Sequence, residues 1–183
     1  MNKYITEIIN LNNYCIIDIE TSGLDETESE IIEIALVKVR DRTIVDTYTS
    51  LIKPKENLSN KVENITKISN EQLQNAPSIY TVSPKVHEFV GNDILISHNA
   101  TFTIKFIHKY MPTIDNEVID TLELSRKLIP KLQSYRLSNL CSEIGIENFK
   151  KDSSTLNYSY ITMHLFEYLK QQLFKLGGGA DAK

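Results

Sequence analysis

The sequence has few of the features that mark secreted or membrane-embedded proteins. Its 183 residues include two cysteines, Cys15 and Cys141, which lie in apolar runs without CxxC spacing. Buried thiols in a reducing cytosol explain them better than a disulfide. No run approaches the roughly 20 apolar residues of a membrane span, and residues 1–13 lack the apolar core of a signal peptide. We expect a soluble, cytoplasmic protein.

An excess of positive charge is also absent. Twenty Lys and Arg residues against 24 Asp and Glu residues give a net charge of −4, so no global basic field attracts a nucleic acid. Binding to a nucleic acid would have to come from a local basic patch or from metal ions. The length suits one domain with a sizeable core, and a hydrophobic content of 41% is ordinary for a globular protein.

One short stretch joins a buried strand to an acidic pair. The apolar run 14–17 leads into Asp18-Ile19-Glu20 and then into a Thr-Ser-Gly turn. Alternation along a strand places Asp18 and Glu20 on one face, with Ile19 on the other. A hard cation such as Mg²⁺ or Mn²⁺ would make two adjacent carboxylates tolerable. The alternative is an Asx-type turn with one solvated acid.

The hydrophobic pattern predicts three strands and then strands alternating with helices, which is typical of an α/β sandwich with a mixed sheet. We expect strands near 14–20, 31–39, 44–52, 93–97 and 118–119, with a hairpin loop at 40–43. Helical patterns cover 3–11, short turns within 59–74, a segment ending near Val90, 101–110, 120–128, 134–145 and 154–174.

Several residues predict where these helices begin. Ser69 to Gln72 resembles a capping box, and Asp120 and Ser134 are expected N-caps. Pro77 and Pro84 are expected to frame the entry to the helix that ends near Val90. The predicted organisation is an N-terminal lead-in at 1–12, one domain at 13–174 and a flexible tail at 175–183. The glycine-rich end of that tail is either native or an expression remnant.

Collinear segments of the chain resemble the motifs of the DnaQ-like (DEDDh) 3′→5′ exonucleases, the superfamily of the proofreading ε subunit of bacterial DNA polymerase III. The resemblance spans roughly residues 13–172. It rests on Asp-Ile-Glu-Thr-Ser-Gly-Leu at 18–24, Ile-Ile-Glu-Ile-Ala at 31–35, Ile-Thr-Lys-Ile-Ser at 65–69, Ile-Leu-Ile-Ser-His-Asn-Ala at 94–100, Val-Ile-Asp-Thr-Leu-Glu-Leu at 118–124 and Ser-Tyr-Arg-Leu-Ser-Asn-Leu at 134–140.

This resemblance implies a ribonuclease H-like three-layer sandwich, with a mixed five-stranded sheet flanked by helices. It also implies phosphodiester hydrolysis by two divalent ions about 4 Å apart, which stabilise the attacking water and the leaving 3′ oxygen. In the family, four carboxylates hold the ions and a histidine acts as general base. Metal ions would attract the phosphate, so an acidic chain is compatible with a DNA substrate.

Only two of the five catalytic positions implied by the family retain their residue. Asp18 and Glu20 match the first two carboxylates. Thr103 stands at the third, in His98-Asn-Ala-Thr-Phe-Thr103. In the best register of the last motif, Ser153 stands at the general base and Tyr158 at the fourth carboxylate. Neutral hydroxyls are poor ligands for a hard cation, so we expect at most one weakly bound Mg²⁺ or Mn²⁺, at Asp18 and Glu20.

Other registers do not restore the site convincingly. Asp152 is one residue out of register, and one residue turns a helical side chain by about 100°. Asp152 or Glu147 on the preceding loop stays open as a substitute ligand. The subfamily with a catalytic Tyr needs an Asp four residues later, where this chain has Thr162, and His164 lies nearly two turns beyond Tyr158.

The resemblance also implies a pocket for a terminal nucleotide. The matching positions are Thr21, Ser22, Leu24, His98, Asn99 and Phe102. Phe102 would either stack on a base or belong to the core, and His98 would either bind substrate or cap the strand-to-helix junction. Asp120 is better explained as an N-cap than as a metal ligand. The basic residues Arg126, Lys127, Lys131 and Arg136 would contact phosphates or form a solvated face.

These observations lead to two hypotheses. In the first, the exonuclease site has decayed and the chain remains a nucleic-acid-binding or docking module, with the 3′ end of DNA and a polymerase or another nucleic-acid-processing protein as expected partners. In the second, the chain is an active metal-dependent 3′→5′ exonuclease that uses Asp18 and Glu20 with non-standard ligands.

Overall fold

A five-stranded sheet organises the molecule, and the computed structural model describes residues 3–146 and 154–178 of it. The strands are β1 (Tyr14–Thr21), β2 (Ile31–Arg40), β3 (Thr43–Leu51), β4 (Leu95–Ser97) and β5 (Val118–Asp120). The helices are α1 (Lys3–Asn10), α2 (Asn60–Thr66), α3 (Asn70–Gln74), α4 (Ile79–Val90), α5 (Ala100–Tyr110), α6 (Thr121–Leu128), α7 (Leu137–Glu143) and α8 (Thr155–Gly178).

The sheet is mixed, as the sequence predicts. Its order is β3-β2-β1-β4-β5, with β2 antiparallel to both β1 and β3, while β1, β4 and β5 run parallel. The predicted hairpin loop joins β2 to β3 through Asp41 and Arg42, whose φ angles are 47° and 63°. Two positive φ angles match the right-handed twist of the strands that the loop connects. The carboxyl ends of β1, β4 and β5 therefore meet at one edge of the sheet.

Alternation along β1 divides the core between the two faces of the sheet. Cys15, Ile17 and Ile19 belong to a cluster with α4 and α5, whereas Tyr14 and Ile16 belong to a cluster with α1, α6 and α8. Helices thus cover both faces, which confirms the expected three-layer α/β sandwich. Both cysteines are buried free thiols. None of the helices in the described ranges is long and apolar enough to cross a membrane.

Some helix boundaries were predicted correctly. Ser69 and Gln72 form the capping box, with Gln72 N donating to Ser69 Oγ at 3.2 Å and Ser69 N donating to Gln72 Oε1 at 2.7 Å. Asp120 is the N-cap of α6. Both predictions rest on local hydrogen bonds between a short polar side chain and nearby backbone amides, which sequence spacing alone can indicate.

Three boundary predictions were wrong. Pro84 lies inside α4 rather than at its entry, so α4 forgoes one backbone hydrogen bond there. Ser134 is not the N-cap of α7. That position belongs to Arg136, whose backbone N–H donates to Ser134 Oγ at 3.3 Å in the preceding turn. Helix α8 continues to Gly178, beyond the expected end near residue 174.

Candidate functional site

The predicted acidic pair lies at the carboxyl end of β1, on the face that α8 covers. Asp18 pairs with Ala35 and Glu20 pairs with Glu33 across the antiparallel ladder to β2. Both side chains are half-buried. Asp18 and Glu20 therefore share one face, as the period of the strand predicts, and we name this pair the strand half of the site.

Burial and mutual repulsion disfavour the ionised forms of the pair. Burial, followed by repulsion from Glu20, raises the pKa of Asp18 to about 8, although the backbone N–H of Ile19 donates to Asp18 Oδ1 at 3.0 Å. Burial and the neighbouring Glu33 raise the pKa of Glu20 to about 7. At neutral pH, a bound proton or a nearby cation would stabilise each of these acids. The strand half is therefore an electrostatically favourable place for a cation.

Glu33 is a third acid beside this pair, and the sequence analysis did not single it out. It is half-buried on β2, and Thr155 Oγ1 of α8 donates a hydrogen bond to Glu33 Oε2. Thr155 is fully buried at the first turn of α8. A lone acid in the apolar run Ile-Ile-Glu-Ile-Ala was the available signal, but its partner is 122 residues away in sequence.

Two further residues that the family resemblance indicates lie in the described part of the chain, and both have internal contacts. We name Thr103 on α5 and Tyr158 on α8 the helix half of the site. Thr103 is 2% exposed, and its Oγ1 lies 2.9 Å from Ser97 Oγ at the end of β4. Tyr158 is half-buried against an apolar cluster that includes Leu140 and Leu165. Thr103 thus has a buried hydrogen-bond partner, and Tyr158 packs against apolar side chains.

Within its described ranges, the structure does not place the other residues considered as alternative ligands at the site. Ser153, Asp152 and Glu147 lie outside the described residues. Thr162 is buried on α8, and His164 is exposed two residues further along the same helix. Among residues 3–146 and 154–178, the structure brings together no group of three His, Cys, Asp or Glu side chains placed to hold a metal ion. The described donors do not fit a two-ion centre.

The loop after β1 is tightly shaped around Gly23. Thr21 Oγ1 donates to Gly23 O at 2.6 Å, and Ser22 Oγ accepts from the backbone N–H of Glu30 at 2.9 Å. A Cβ at Gly23 would approach Ser29 Oγ to 2.4 Å, so a side chain there would force the Ser29 hydroxyl to move away. Leu24 follows with 86% exposure. Thr21 and Ser22 are thus occupied in the loop, whereas Leu24 is available for a ligand.

The junction between β4 and α5 is held by Asp120. Its Oδ1 accepts from Asn99 N at 3.1 Å and from Leu122 N at 2.8 Å, and its Oδ2 accepts from Ala100 N at 2.9 Å. Asn99 adopts a left-handed conformation with φ of 67°. One carboxylate therefore caps the first turns of both α5 and α6, and the exposed Asn99 side chain is held at the edge of the site.

His98 and Phe102 both have internal partners. His98 Nδ1 lies 3.0 Å from Thr121 Oγ1, and its Nε2 lies 2.9 Å from the carbonyl oxygen of Tyr135. Burial lowers the pKa of His98, which favours the neutral ring. The Phe102 ring centre lies 5.0 Å from that of Phe106, and Phe102 packs against the core beside α5. For both His98 and Phe102, the geometry favours a structural role over contact with a substrate.

A groove of about 480 Å³ opens beside this junction. Its lining includes His98, Asn99, Arg126, Ser134, Tyr135 and Arg136. Arg126 forms an ion pair with Glu123 at 2.7 Å. The Arg136 side chain is exposed, and no ion pair or side-chain hydrogen bond is seen for it within the described ranges. Part of the basic segment anticipated from sequence therefore borders a concave surface.

The chain matches a known family over most of its length. A family model described as Exonuclease (RNase_T) matches residues 15–152. The chain is 38% identical over 139 residues to the DNA polymerase III PolC-type of Clostridium perfringens, covering 74% of this chain and 10% of that protein. It is 34% identical over 169 residues to the Thermotoga petrophila protein of the same name, covering 90% of this chain and 12% of that protein. The chain thus spans about a tenth of these relatives.

Solved structures of nucleases share the fold. Exonuclease X, in complex with 5′-overhanging duplex DNA, superposes with a TM-score of 0.70 at 28% identity and covers 90% of this chain and 93% of its own. The nuclease domain of 3′hExo bound to rAMP superposes with a TM-score of 0.71 at 18% identity, covering 95% and 96% of the two chains. This chain therefore belongs to the exonuclease (RNase_T) family, within the DnaQ-like 3′→5′ exonuclease superfamily, and has its ribonuclease H-like fold.

Proposed function

We propose that this chain is a nucleic-acid-binding member of the exonuclease family whose catalytic centre has decayed. One observation carries the proposal: Thr103, at a carboxylate position of the family motif, is buried and bonded to Ser97 at 2.9 Å. Tyr158 likewise packs against apolar side chains. Both side chains serve the interior of the protein, and neither supplies negative charge.

The donor set supports this proposal on chemical grounds. Two-ion catalysis needs several carboxylates around the ions, and neutral hydroxyl oxygens bind hard cations weakly. Asp18 and Glu20 would hold at most one weakly bound Mg²⁺ or Mn²⁺. That ion would partly neutralise the acidic strand half and would draw a phosphate towards it.

The proposed ligand is the 3′ end of a DNA strand. The protein with 28% identity that shares this fold was solved with DNA bound, and this supports the ligand class. In this chain the exposed Leu24 follows β1, which carries the retained acids, and Asn99 at the groove follows β4, the parallel neighbour of β1. We propose that Leu24 contacts the terminal nucleotide and that Arg136 contacts a backbone phosphate.

The proposed wider role is docking within a polymerase or another nucleic-acid-processing assembly. It rests on the similarity to PolC-type polymerases, whose chains are about ten times longer than the matched region. The alternative is an active 3′→5′ exonuclease with non-standard ligands. The retention of Asp18 and Glu20, both desolvated and without an opposite charge among the causes of their pKa shifts within residues 3–146 and 154–178, favours that second candidate.

A nuclease assay tests the catalytic part of the proposal. The protein is incubated with 3′-labelled single-stranded DNA and Mn²⁺, beside the Asp18→Ala/Glu20→Ala variant. We expect no metal-dependent shortening in either sample. Shortening by the parent protein that the double variant lacks would establish the active alternative.

A binding titration tests the other part. Affinity for the same DNA, measured by gel shift against salt concentration, should fall as salt rises, because phosphate contacts release counterions. Arg136→Ala should reduce the slope of log affinity against log salt by about 1. The Lys175→Ala variant is a matched control, since it removes one exposed positive charge from the far end of α8. The absence of any shift at low salt would favour protein docking alone.

A further inference from the structure

Both ring nitrogens of His98 are engaged inside the protein. The carbonyl oxygen of Tyr135 can only accept a hydrogen bond, so Nε2 carries a proton and donates to it at 2.9 Å. In the neutral ring, Nδ1 then accepts from the Thr121 hydroxyl at 3.0 Å, and Thr121 shares this proton with the more distant Ser97 carbonyl oxygen at 3.3 Å. His98 thus has no nitrogen left for a nucleotide, although it occupies a position that the family resemblance assigns to substrate.

The bond from His98 to Tyr135 joins two parts of the chain that are 37 residues apart. On one side is the β4–α5 junction, which Asp120 holds through three backbone N–H groups. On the other side is the connection between α6 and α7, residues 129–136, which leads to Arg136. The hydrogen bonds of Asp120 hold the junction in place, and the bond from His98 to Tyr135 ties the connection to it.

The connection has few other polar restraints across to the sheet. Tyr135 Oη donates to Ile129 O at 2.8 Å, and Arg136 N donates to Ser134 Oγ at 3.3 Å, so both of these bonds close within the segment itself. Ile129 and Leu132 pack against the apolar cluster of α7 and α8. Those contacts hold the start of the segment, and at its end Arg136 O accepts from Leu140 N at 2.9 Å in the first turn of α7. Between these two anchors, the Tyr135 carbonyl oxygen is bonded to the His98 imidazole.

We infer that His98 is a positioning residue that anchors the segment 129–136 and thereby sets Arg136 at the groove, without touching the nucleic acid. Only the statement that Arg136 meets a phosphate rests on the proposed function. The anchorage of the segment by His98 does not depend on the proposed function. The two parts can therefore fail separately.

Limited trypsin digestion tests the anchorage without any ligand. Lys131 and Arg136 are cleavage sites within or at the end of the segment. One lost hydrogen bond is worth about 0.5–1.5 kcal/mol, so His98→Ala should accelerate cleavage there by roughly two- to tenfold. His98→Gln should restore slow cleavage, because its amide nitrogen can donate to the Tyr135 carbonyl. His108→Ala, on the exposed face of α5, is the matched control and should cleave like the parent protein.

A second variant covers the case in which His98→Ala does not fold. Thr121→Val keeps the shape of a fully buried side chain and leaves the Tyr135 bond in place. It removes the partner of Nδ1, so we expect an intermediate increase in cleavage. If His98→Ala or Thr121→Val folds and cleaves at the parent rate, the inference is overturned.

The DNA titration completes the test. If His98 acts through the segment, His98→Ala and Arg136→Ala should be non-additive, with the double variant binding no more weakly than Arg136→Ala, and His98→Gln should bind like the parent protein. Additive losses with unchanged cleavage would indicate direct contact and would overturn the positioning role. If no variant and no parent protein binds DNA while His98→Ala is cleaved faster, the binding proposal fails and the anchorage stands.

Discussion

The strand half and the helix half of the candidate site differ in how their side chains are satisfied. Asp18 and Glu20 on β1 keep their carboxylates, and the pKa values of both are raised by burial and by neighbouring acids. Thr103 on α5 bonds to Ser97, and Tyr158 on α8 packs into an apolar cluster. The ionised forms of Asp18 and Glu20 are thus electrostatically disfavoured, whereas Thr103 and Tyr158 have favourable internal contacts.

Under the proposed loss of catalysis, this difference would confine the change to the donor side chains. The strand half still lies where the ladder to β2 fixes it, and the helices still cover the same faces. Two neighbouring acids whose pKa values are raised by burial and mutual repulsion should carry a measurable cost in stability.

Restoring the family residues should have the largest effect. The triple variant Thr103→Asp/Ser153→His/Tyr158→Asp should gain Mn²⁺-dependent exonuclease activity, because it returns two carboxylates and the general base. A general base alone contributes a factor of about 10²–10⁴ in rate. The rate is measured on 3′-labelled DNA, with the Asp18→Ala version of the triple variant as control. A folded triple variant without activity would show that the pocket has changed as well as its ligands.

Neutralising Asp18 should stabilise the protein at alkaline pH. The folded-state pKa is about 8, above the ordinary value of 3.8, so the folded state binds more protons than the unfolded state between those values. Stability therefore falls as pH rises through this window, and Asp18→Asn should abolish that loss. We expect a gain of about 3 kcal/mol at pH 8 and almost none at pH 4, below the full linkage value because the side chain is only half-buried.

Urea unfolding in EDTA at a series of pH values measures this effect. EDTA removes any cation that would otherwise neutralise the pair. Asp25→Asn is a useful control, because Asp25 is an exposed acid in the β1–β2 loop whose pKa is lowered by hydrogen bonds from Thr27. It should not stabilise the protein at pH 8. If the free energy of unfolding of the parent protein and of Asp18→Asn changed equally with pH, the raised pKa of Asp18 would be contradicted.

Removing the donor to Glu33 should have a smaller effect. Thr155→Val keeps the buried shape but leaves Glu33 without the Thr155 hydroxyl, and a hydrogen bond to a charged group is worth about 1.5–3 kcal/mol. We expect a loss near the lower end of that range at pH 7. In Glu33→Gln the carboxylate is gone, so the added cost of Thr155→Val should shrink by half or more. Strict additivity of the two changes would mean that the side chains are not coupled.

The helix half should respond least. Thr103→Val removes the bond to Ser97 and leaves a buried hydroxyl without that partner, for an expected cost of about 1 kcal/mol. The cost should be independent of pH, in contrast to the Asp18 effect, and Ser97→Ala should abolish most of it. Thermal unfolding of the two single variants and the double variant measures the coupling. A pH-dependent cost would place Thr103 in contact with the acids.

The sequence predicted the parts of the fold that depend on local pattern. The five strands, the hairpin at Asp41 and Arg42 and the capping box at Ser69 follow from periodicity, turn chemistry and short-range hydrogen bonds. Ser134 was misassigned because serine also serves as a turn acceptor, and only the backbone angles at Arg136 show which residue begins α7.

The site was less predictable because its contacts join distant segments. The positions of Asp18 and Glu20 follow from the strand period, but the coupling of Glu33 to Thr155 needs the packing of α8 on β2. The bond from His98 to Tyr135 likewise needs α6 and α7 in place. Sequence spacing named His98 as a residue of interest, and geometry was required to show what it contacts.

Counting bound ions tests the central claim most directly. Mn²⁺ is titrated into the protein and the free ion is followed by electron paramagnetic resonance, with Asp18→Ala/Glu20→Ala as control. We expect at most one weakly bound ion per chain, lost in the double variant, because the described residues supply only Asp18, Glu20 and the neighbouring Glu33, which is hydrogen-bonded to Thr155. Two ions bound tightly at neutral pH would contradict it and would show that the site still has a complete set of ligands.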